Sequence, residues 1–176
     1  EYWSLIETCS NKLDYYIQKT LQYYKNNKAV QEATEIDFKS LIDELVAVHS
    51  YIDIDTNFTV NIDQKIAFKG DFFRIEVILG NLISNAIKYQ KIDELNKRVT
   101  VNVVVKNNLA EISINDNGMG ILNEHLEKIF VQFFKSKVHH GSGLGLFIVK
   151  EALNKINGRI SVSSDLDFGT TFTITI

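Results

Sequence analysis

The sequence predicts an α+β domain. It is expected to be a two-layer α/β sandwich, a mixed five-stranded sheet covered by three helices on one face, preceded by one long N-terminal helix. Three observations predict it. Short runs of alternating apolar and polar residues are interleaved with longer segments of helical periodicity. Two of the strand runs flank Asn107-Asn108, a hairpin turn, whereas others are separated by a whole helix. The 176 residues are enough for one good-sized domain and an appendage.

Residues 1–27 read as one helix, because Tyr2, Ile6, Cys9, Leu13, Tyr16, Thr20 and Tyr23 follow alternating spacings of four and three. Ile17 and Tyr24 widen that stripe toward what a multi-helix bundle needs. Lys25-Asn26-Asn27-Lys28 breaks the pattern and leads into a linker over 28–34; the sandwich occupies 35–176. Ile36-Asp37-Phe38 is expected as a short edge strand, and Phe38–His49 as a helix with Leu41, Ile42, Leu45 and Val48 inward. Phe58–Ile62 alternates as a strand, and Ala67–Gly70 is a brief strand leading to Asp71, a residue suited to cap a helix. The helix from Phe72 to about Gln90 buries Ile75, Leu79, Leu82 and Ala86. Strands follow at Val99–Val105 and Ala110–Asn115, then a short helix at Glu124–Phe130. A longer helix, Leu144–Ile156, stops at Asn157-Gly158, and strands at Ile160–Ser163 and Thr170–Ile176 complete the sheet.

Composition narrows the function classes. Hydrophobic residues at 45% and charged residues at 23% are ordinary for a soluble globular protein. A net charge of −3 gives no reason to expect nucleic-acid binding. The single Cys9 excludes an internal disulfide and a cysteine zinc site, and suits a cytoplasmic, reducing compartment. No apolar run reaches the roughly 18 residues of a membrane span, so direct membrane contact is not expected. The chain opens without Met and inside a helical pattern, so it reads as a fragment of a longer protein, compatible with a membrane sensor upstream.

Chemistry concentrates in two glycine-rich segments, Asp116-Asn117-Gly118-Met119-Gly120 and Gly141-Ser142-Gly143-Leu144-Gly145. Glycine lets backbone approach a ligand closely, and exposed N–H groups at a helix start attract phosphate. An Asp fixed beside such glycines can accept hydrogen bonds from an amino group. Asn81, Asn85 and Lys88 fall at i, i+4 and i+7, one stripe lying about 100° from the core stripe of the same helix. Their amide oxygens suit a hard cation. Each signal alone is weak, since Asp-Asn-Gly is commonly just a tight turn. A dinucleotide fingerprint fits poorly, because Gly158-Arg159-Ile160 stands where an acidic residue should follow, and no P-loop motif is present. Taken together the groups describe a site for a Mg²⁺-bound nucleotide.

The ordered set is more specific than its parts. Asn81–Tyr89 resembles the N box of sensor histidine kinases, and Asp116–Gly120 their G1 box. Ile129-Phe130 with Phe133-Phe134-Lys135 resembles the F box, Gly141–Leu146 the G2 box, and Gly169-Thr170-Thr171-Phe172 the closing strand of their ATP-binding domain. The resemblance runs in order from about Glu35 to Ile176. It implies ATP and Mg²⁺ as ligands, and transfer of the γ-phosphoryl group to a histidine. By the same resemblance Asn85 holds the metal with Asn81 in support, and Lys88 and Lys135 meet phosphate charge. Tyr89 stacks on adenine and Asp116 accepts from its amino group, with Thr170 joining them. Gly118, Gly120, Ile121 and Phe130 line the nucleotide, and Gly141, Gly143, Leu144, Gly145 and Leu146 form a lid over the phosphates. Residues 1–27 then correspond to the second helix of a dimerisation hairpin whose first helix, with the phosphoacceptor, is missing. The implied partners are that hairpin and a response-regulator receiver domain, with the parent a homodimer.

Departures from the pattern concern the lid. Val131-Gln132 replaces the usual Glu-Pro between the F-box aromatics, the stretch from Lys135 to Gly141 is short, and Lys135 stands where the family often has Arg. None of His49, His125, His139 and His140 resembles the acceptor motif. Gyrase-like and heat-shock ATPases place a Glu where this chain has Asn81, and Asn cannot take the proton of an attacking water, so hydrolysis is disfavoured. A degenerate ATP-binding module and an anti-sigma-type serine kinase are the alternatives; the bundle-like helix at 1–27 argues against the latter.

Overall fold

The computed structural model describes residues 32–50, 54–134 and 143–176, with separate positions between Tyr2 and Tyr24. Those positions, among them Trp3, Ile6, Leu13 and Ile17, have helical backbone and are exposed. The continuous helix expected over 1–27, including Cys9, Tyr16 and Tyr23, lies outside the described residues, as does most of the linker.

The first strand lies slightly before the place expected. β1 (Thr34–Glu35) pairs antiparallel with β3 (Lys69–Gly70), while Ile36 and Phe38 turn into the core. Asp37 decides this. Its carboxylate accepts from the N–H groups of Lys39 and Ser40, which makes it the cap of α1 (Phe38–His49) rather than a strand residue. The Gln64 amide, at the end of β2 (Asn57–Gln64), accepts from the Phe38 N–H at 3.2 Å and donates to the Ile36 carbonyl at 2.7 Å, fixing this junction.

α2 (Phe72–Lys88) is capped by Asp71, which accepts from the Arg74 N–H at 3.0 Å and also pairs with its buried guanidinium. Ile75, Ile78, Leu79, Leu82, Ile83 and Ala86 form its buried side. The helix stops at Lys88, short of the expected end, because Gln90 turns its amide back onto the Ala86 carbonyl at 2.9 Å. β4 (Arg98–Lys106) and β5 (Leu109–Asp116) are joined by Asn107 and Asn108, both left-handed at φ 51° and 61°, as a two-residue turn between twisted strands requires. α3 (Gly145–Lys155) ends where Asn157 adopts φ 56° and the Gly158 N–H returns to the Leu153 carbonyl at 2.8 Å. β6 (Arg159–Asp165) and β7 (Gly169–Thr175) close the sheet.

The five-stranded sheet has the order β2-β4-β5-β7-β6; β2 and β4 are parallel and every other pair is antiparallel. Val99, Val101, Val103, Ile112, Ile114, Phe172 and Ile174 are buried on the face that meets the three helices. The other face carries small polar residues that bond across strands, as between Asn61 and Asn102 and between Asn115 and Thr171. The helix expected at Glu124–Phe130 does not form. A single 3₁₀ turn, Asn123–His125, is followed by turns closed mostly by i→i+3 bonds, and Leu122 offers no side-chain cap to start a helix. Among the described residues no helix is long and apolar enough to cross a membrane.

Candidate functional site

One end of the site is built where β5 and β7 finish side by side. Asp116 is the last residue of β5 and the register partner of Thr170 in β7; both are buried. The Asp116 carboxylate accepts from the Gly118 N–H at 2.8 Å, and the Thr170 N–H also donates to it. Burial pushes its carboxyl up to about 6, against the downward pull of those two N–H donors. An acceptor that costs this much to keep charged is poised for a further donor.

Three backbone segments meet around this carboxylate, and glycine is what permits it. A Cβ at Gly118 would lie 2.4 Å from the Tyr89 carbonyl oxygen, which instead accepts from the Met119 N–H at 3.0 Å. Gly120, at φ 69°, would put a Cβ 2.1 Å from the Asp165 carbonyl oxygen. The Asp167 N–H donates to the Met119 carbonyl at 2.9 Å, so loop 117–120 is stitched to the end of α2 and to the β6–β7 turn. Asn117 adds a third tie, accepting from the Arg98 N–H at 2.7 Å and donating to the Asn96 carbonyl at 2.9 Å.

Ser164 belongs to this end and was not singled out in the sequence. It is buried, and its hydroxyl lies 2.9 Å from the Thr170 hydroxyl, 2.9 Å from the Gly169 carbonyl and 2.8 Å from the Ile121 N–H. The available signal was a hydroxyl in register with Ile160 and Val162, the inward apolar residues of β6.

The other end is helical. Asn81 is buried on α2 and donates to the Val77 carbonyl at 2.7 Å. A Cβ at Gly145 would come within 3.2 Å of the Asn81 amide oxygen, so the start of α3 lies directly against Asn81. The N-cap residue Leu144 makes no side-chain cap hydrogen bond, and the positive end of the α3 dipole faces this part of the site. One turn along α2, the half-buried Asn85 amide makes no hydrogen bond among the described residues. Lys88 is exposed, with Nζ 5.8 Å from the centroid of the half-buried Tyr89 ring.

The aromatic segment touches both the sheet and the second glycine segment. Phe130 meets Phe172 edge-on at 6.5 Å, beside the half-buried Ile121 and Leu146 on the same core. The Gly143 carbonyl accepts from the Phe133 N–H at 3.0 Å, and Gly143 holds φ 70° with no room for a Cβ. Lys135, Gly141, His139 and His140 lie outside the described residues. His49 packs near Gly80, and His125 lies edge-on to Phe134 at 5.3 Å. Among the described residues no group of His, Cys, Asp and Glu could by itself hold a metal ion.

Residues 70–176 match the histidine kinase-, DNA gyrase B-, and HSP90-like ATPase family. The chain belongs to that family. Its relatives there are sensor histidine kinases, and it is a catalytic, ATP-binding domain of that kind. Histidine protein kinase SaeS of Staphylococcus aureus is 35% identical over 135 residues, covering 73% of this chain and 37% of SaeS. The mycobacterial sensor histidine kinase MprB superposes with a TM-score of 0.71 at 28% identity, over 82% of this chain and 96% of that one. The nucleotide-free catalytic domain of histidine kinase ThkA gives 0.71 at 27% identity, over 83% of this chain and 95% of that one. ThkA in complex with the response regulator protein TrrA shares the fold, with a TM-score of 0.76 at 24% identity over 98% of this chain and 50% of that one. The chain spans well under half the length of the curated relatives it matches.

Proposed function

We propose that this chain binds Mg-ATP between the β5–β7 end and the Asn81–Lys88 row, and passes the γ-phosphoryl group to a histidine on a two-helix hairpin of the same protein. The observation that carries the reading is the buried Asp116 carboxylate, held by the Gly118 and Thr170 N–H groups beside three backbone segments that only glycine lets meet. Such a carboxylate suits the amino group of adenine. Gly120, Ile121 and Phe130 bring backbone and apolar surface to the base, and Tyr89 stacks on it.

Across the site Lys88 supplies charge to the phosphates, and the resemblance gives Lys135 the same role. The start of α3 turns N–H groups toward them, and the resemblance gives Gly141 the same role. Mg²⁺ would neutralise phosphate charge when bound. The partnerless Asn85 amide fits it as the one protein oxygen, with Asn81 in support from the adjacent turn. In the transfer, an imidazole nitrogen forms a bond to the γ-phosphorus as the bond to the ADP oxygen breaks. Catalysis consists of positioning and charge stabilisation. Asn81 offers no base for water, so ATP is spared hydrolysis.

On this reading residues 1–27 are the second hairpin helix, 28–34 the linker and 35–176 the catalytic domain. The parent is a homodimer whose phosphohistidine serves a receiver domain. The domain itself lies in the cytoplasm, whatever anchors the parent. The test uses labelled ATP. The chain alone should stay unlabelled and hydrolyse ATP slowly. Adding the hairpin as a separate polypeptide should label its histidine at low yield, since tethering normally supplies an effective concentration on the order of millimolar. Stable label on His49, His125, His139 or His140 would overturn the division of labour.

A further inference from the structure

Ser164 has one proton and three neighbours. The Ile121 N–H can only donate to it, at 2.8 Å, and the Gly169 carbonyl can only accept from it, at 2.9 Å. The Ser164 O–H must therefore point to Gly169, because two oxygens that close without a proton between them repel. That leaves the 2.9 Å contact with Thr170, in which either hydroxyl could donate. With the Ser164 proton committed to Gly169, this contact is attractive only if Thr170 is the donor. The Thr170 hydroxyl thereby loses its proton to the sheet side and keeps only lone pairs for anything bound beside it. Its neighbour and register partner Asp116 is also an acceptor.

We infer that Ser164 is a specificity-determining positioning residue: by holding the Thr170 proton it turns Thr170 and Asp116 into an acceptor-only edge, which admits a purine with a 6-amino group and rejects one with a 6-carbonyl. The inference rests on the ATP reading above and deepens it. Ser164 does not touch the base; it removes the alternative hydrogen-bond polarity of a residue that does. A threonine hydroxyl left to rotate would serve a carbonyl as readily as an amino group, so the part of the discrimination that Thr170 adds to Asp116 depends on the Ser164–Gly169 bond. A site built to hydrogen-bond one group rejects the analogue that leaves its buried polar atoms unpaired.

Calorimetric affinities for ATP and inosine triphosphate, which carries a carbonyl at the same ring position, test this in the same chain. Ser164→Ala frees the Thr170 proton, and the ATP-to-inosine-triphosphate preference should shrink by roughly three- to tenfold, the worth of one hydrogen bond. Thr170→Val should shrink it too, and adding Ser164→Ala to Thr170→Val should change the ratio no further. If Ser164→Ala weakens both nucleotides by the same factor, Ser164 merely supports packing and the inference is wrong. Should Ser164→Ala fail to fold, Thr170→Val decides alone, and an unchanged ratio overturns the inference. A wild-type chain that binds ATP while these ratios stay fixed refutes only this inference. One that binds no ATP refutes the reading on which it rests.

Discussion

The two ends of the site are finished to different degrees. At the β5–β7 end Asp116, Thr170, Ser164 and the loop 117–120 already hold one another through short hydrogen bonds, and three glycines sit where a methyl group would strike backbone. At the helical end Asn81 is bonded within its own helix, Asn85 has no side-chain hydrogen bond among the described residues, and Lys88 is exposed beside the Tyr89 ring. The difference follows from what each end is proposed to recognise. A base is read by fixed donors and acceptors, so its site must be rigid before the ligand arrives. Phosphates and a hydrated cation bring their own charge and water, so groups on one helix face suffice.

The same glycine substitution at both ends gives the largest contrast. Gly120→Ala forces a Cβ against the Asp165 carbonyl at φ 69°, and should lower stability by about 3–5 kcal/mol in chemical unfolding. Gly145→Ala meets only the Asn81 side chain at 3.2 Å, and should move stability by less than about 1 kcal/mol. Equal losses at the two positions would erase the distinction between the ends.

Asp116→Asn should separate stability from binding. A charge-assisted bond to the base is lost, and calorimetric ATP affinity should fall by roughly 10–150-fold. Stability should move the other way. The folded carboxyl titrates at about 6 instead of 3.8, so the fold binds this proton more tightly than the unfolded chain. Its charge therefore destabilises the empty fold fully above about pH 6, and that cost is relieved as pH falls toward 3.8. The variant should accordingly be more stable than the wild type at pH 8, by up to about 3 kcal/mol, with the difference shrinking on acidification. ATP affinity of the wild type should decline below about pH 6 relative to the variant, whose comparison cancels the nucleotide's own protonation. A pH-independent stability difference would mean that Asp116 is not a strained charge.

The smallest structural effect is expected at the helical end. Asn85→Ala should leave unfolding within about 0.5 kcal/mol of wild type, since no internal hydrogen bond is lost. It should nevertheless abolish the part of ATP affinity that depends on Mg²⁺. An identical Mg²⁺ response in both proteins would remove Asn85 from the metal.

How much of this the residues disclosed in advance depended on the range of the interactions involved. Periodicity placed α1, α2, α3 and the five main strands to within a few residues, because burial of one face acts on every residue of an element. Asp37 was misread because the alternation Ile-Asp-Phe fits a strand, while its side chain finds two N–H donors just downstream and starts a helix. Glu124–Phe130 was misread because its helical spacing lacks a cap, and the tighter turn won. The residues of the candidate site were legible as motifs. Ser164 was not, since its partners Ile121 and Thr170 come from other segments and a serine in a strand carries no signal of its own.

The strand order has a consequence for how the chain is made. β7 follows β6 in sequence yet lies between β5 and β6, so Asp116 meets Thr170 only after α3 and β6 have been made. A nascent chain that has already extruded Asn81, Asn85 and both glycine segments still has a hole in its sheet where the base should lodge. On the proposed reading, a chain cut before β7 should therefore lack the Asp116–Thr170 pair that meets the base.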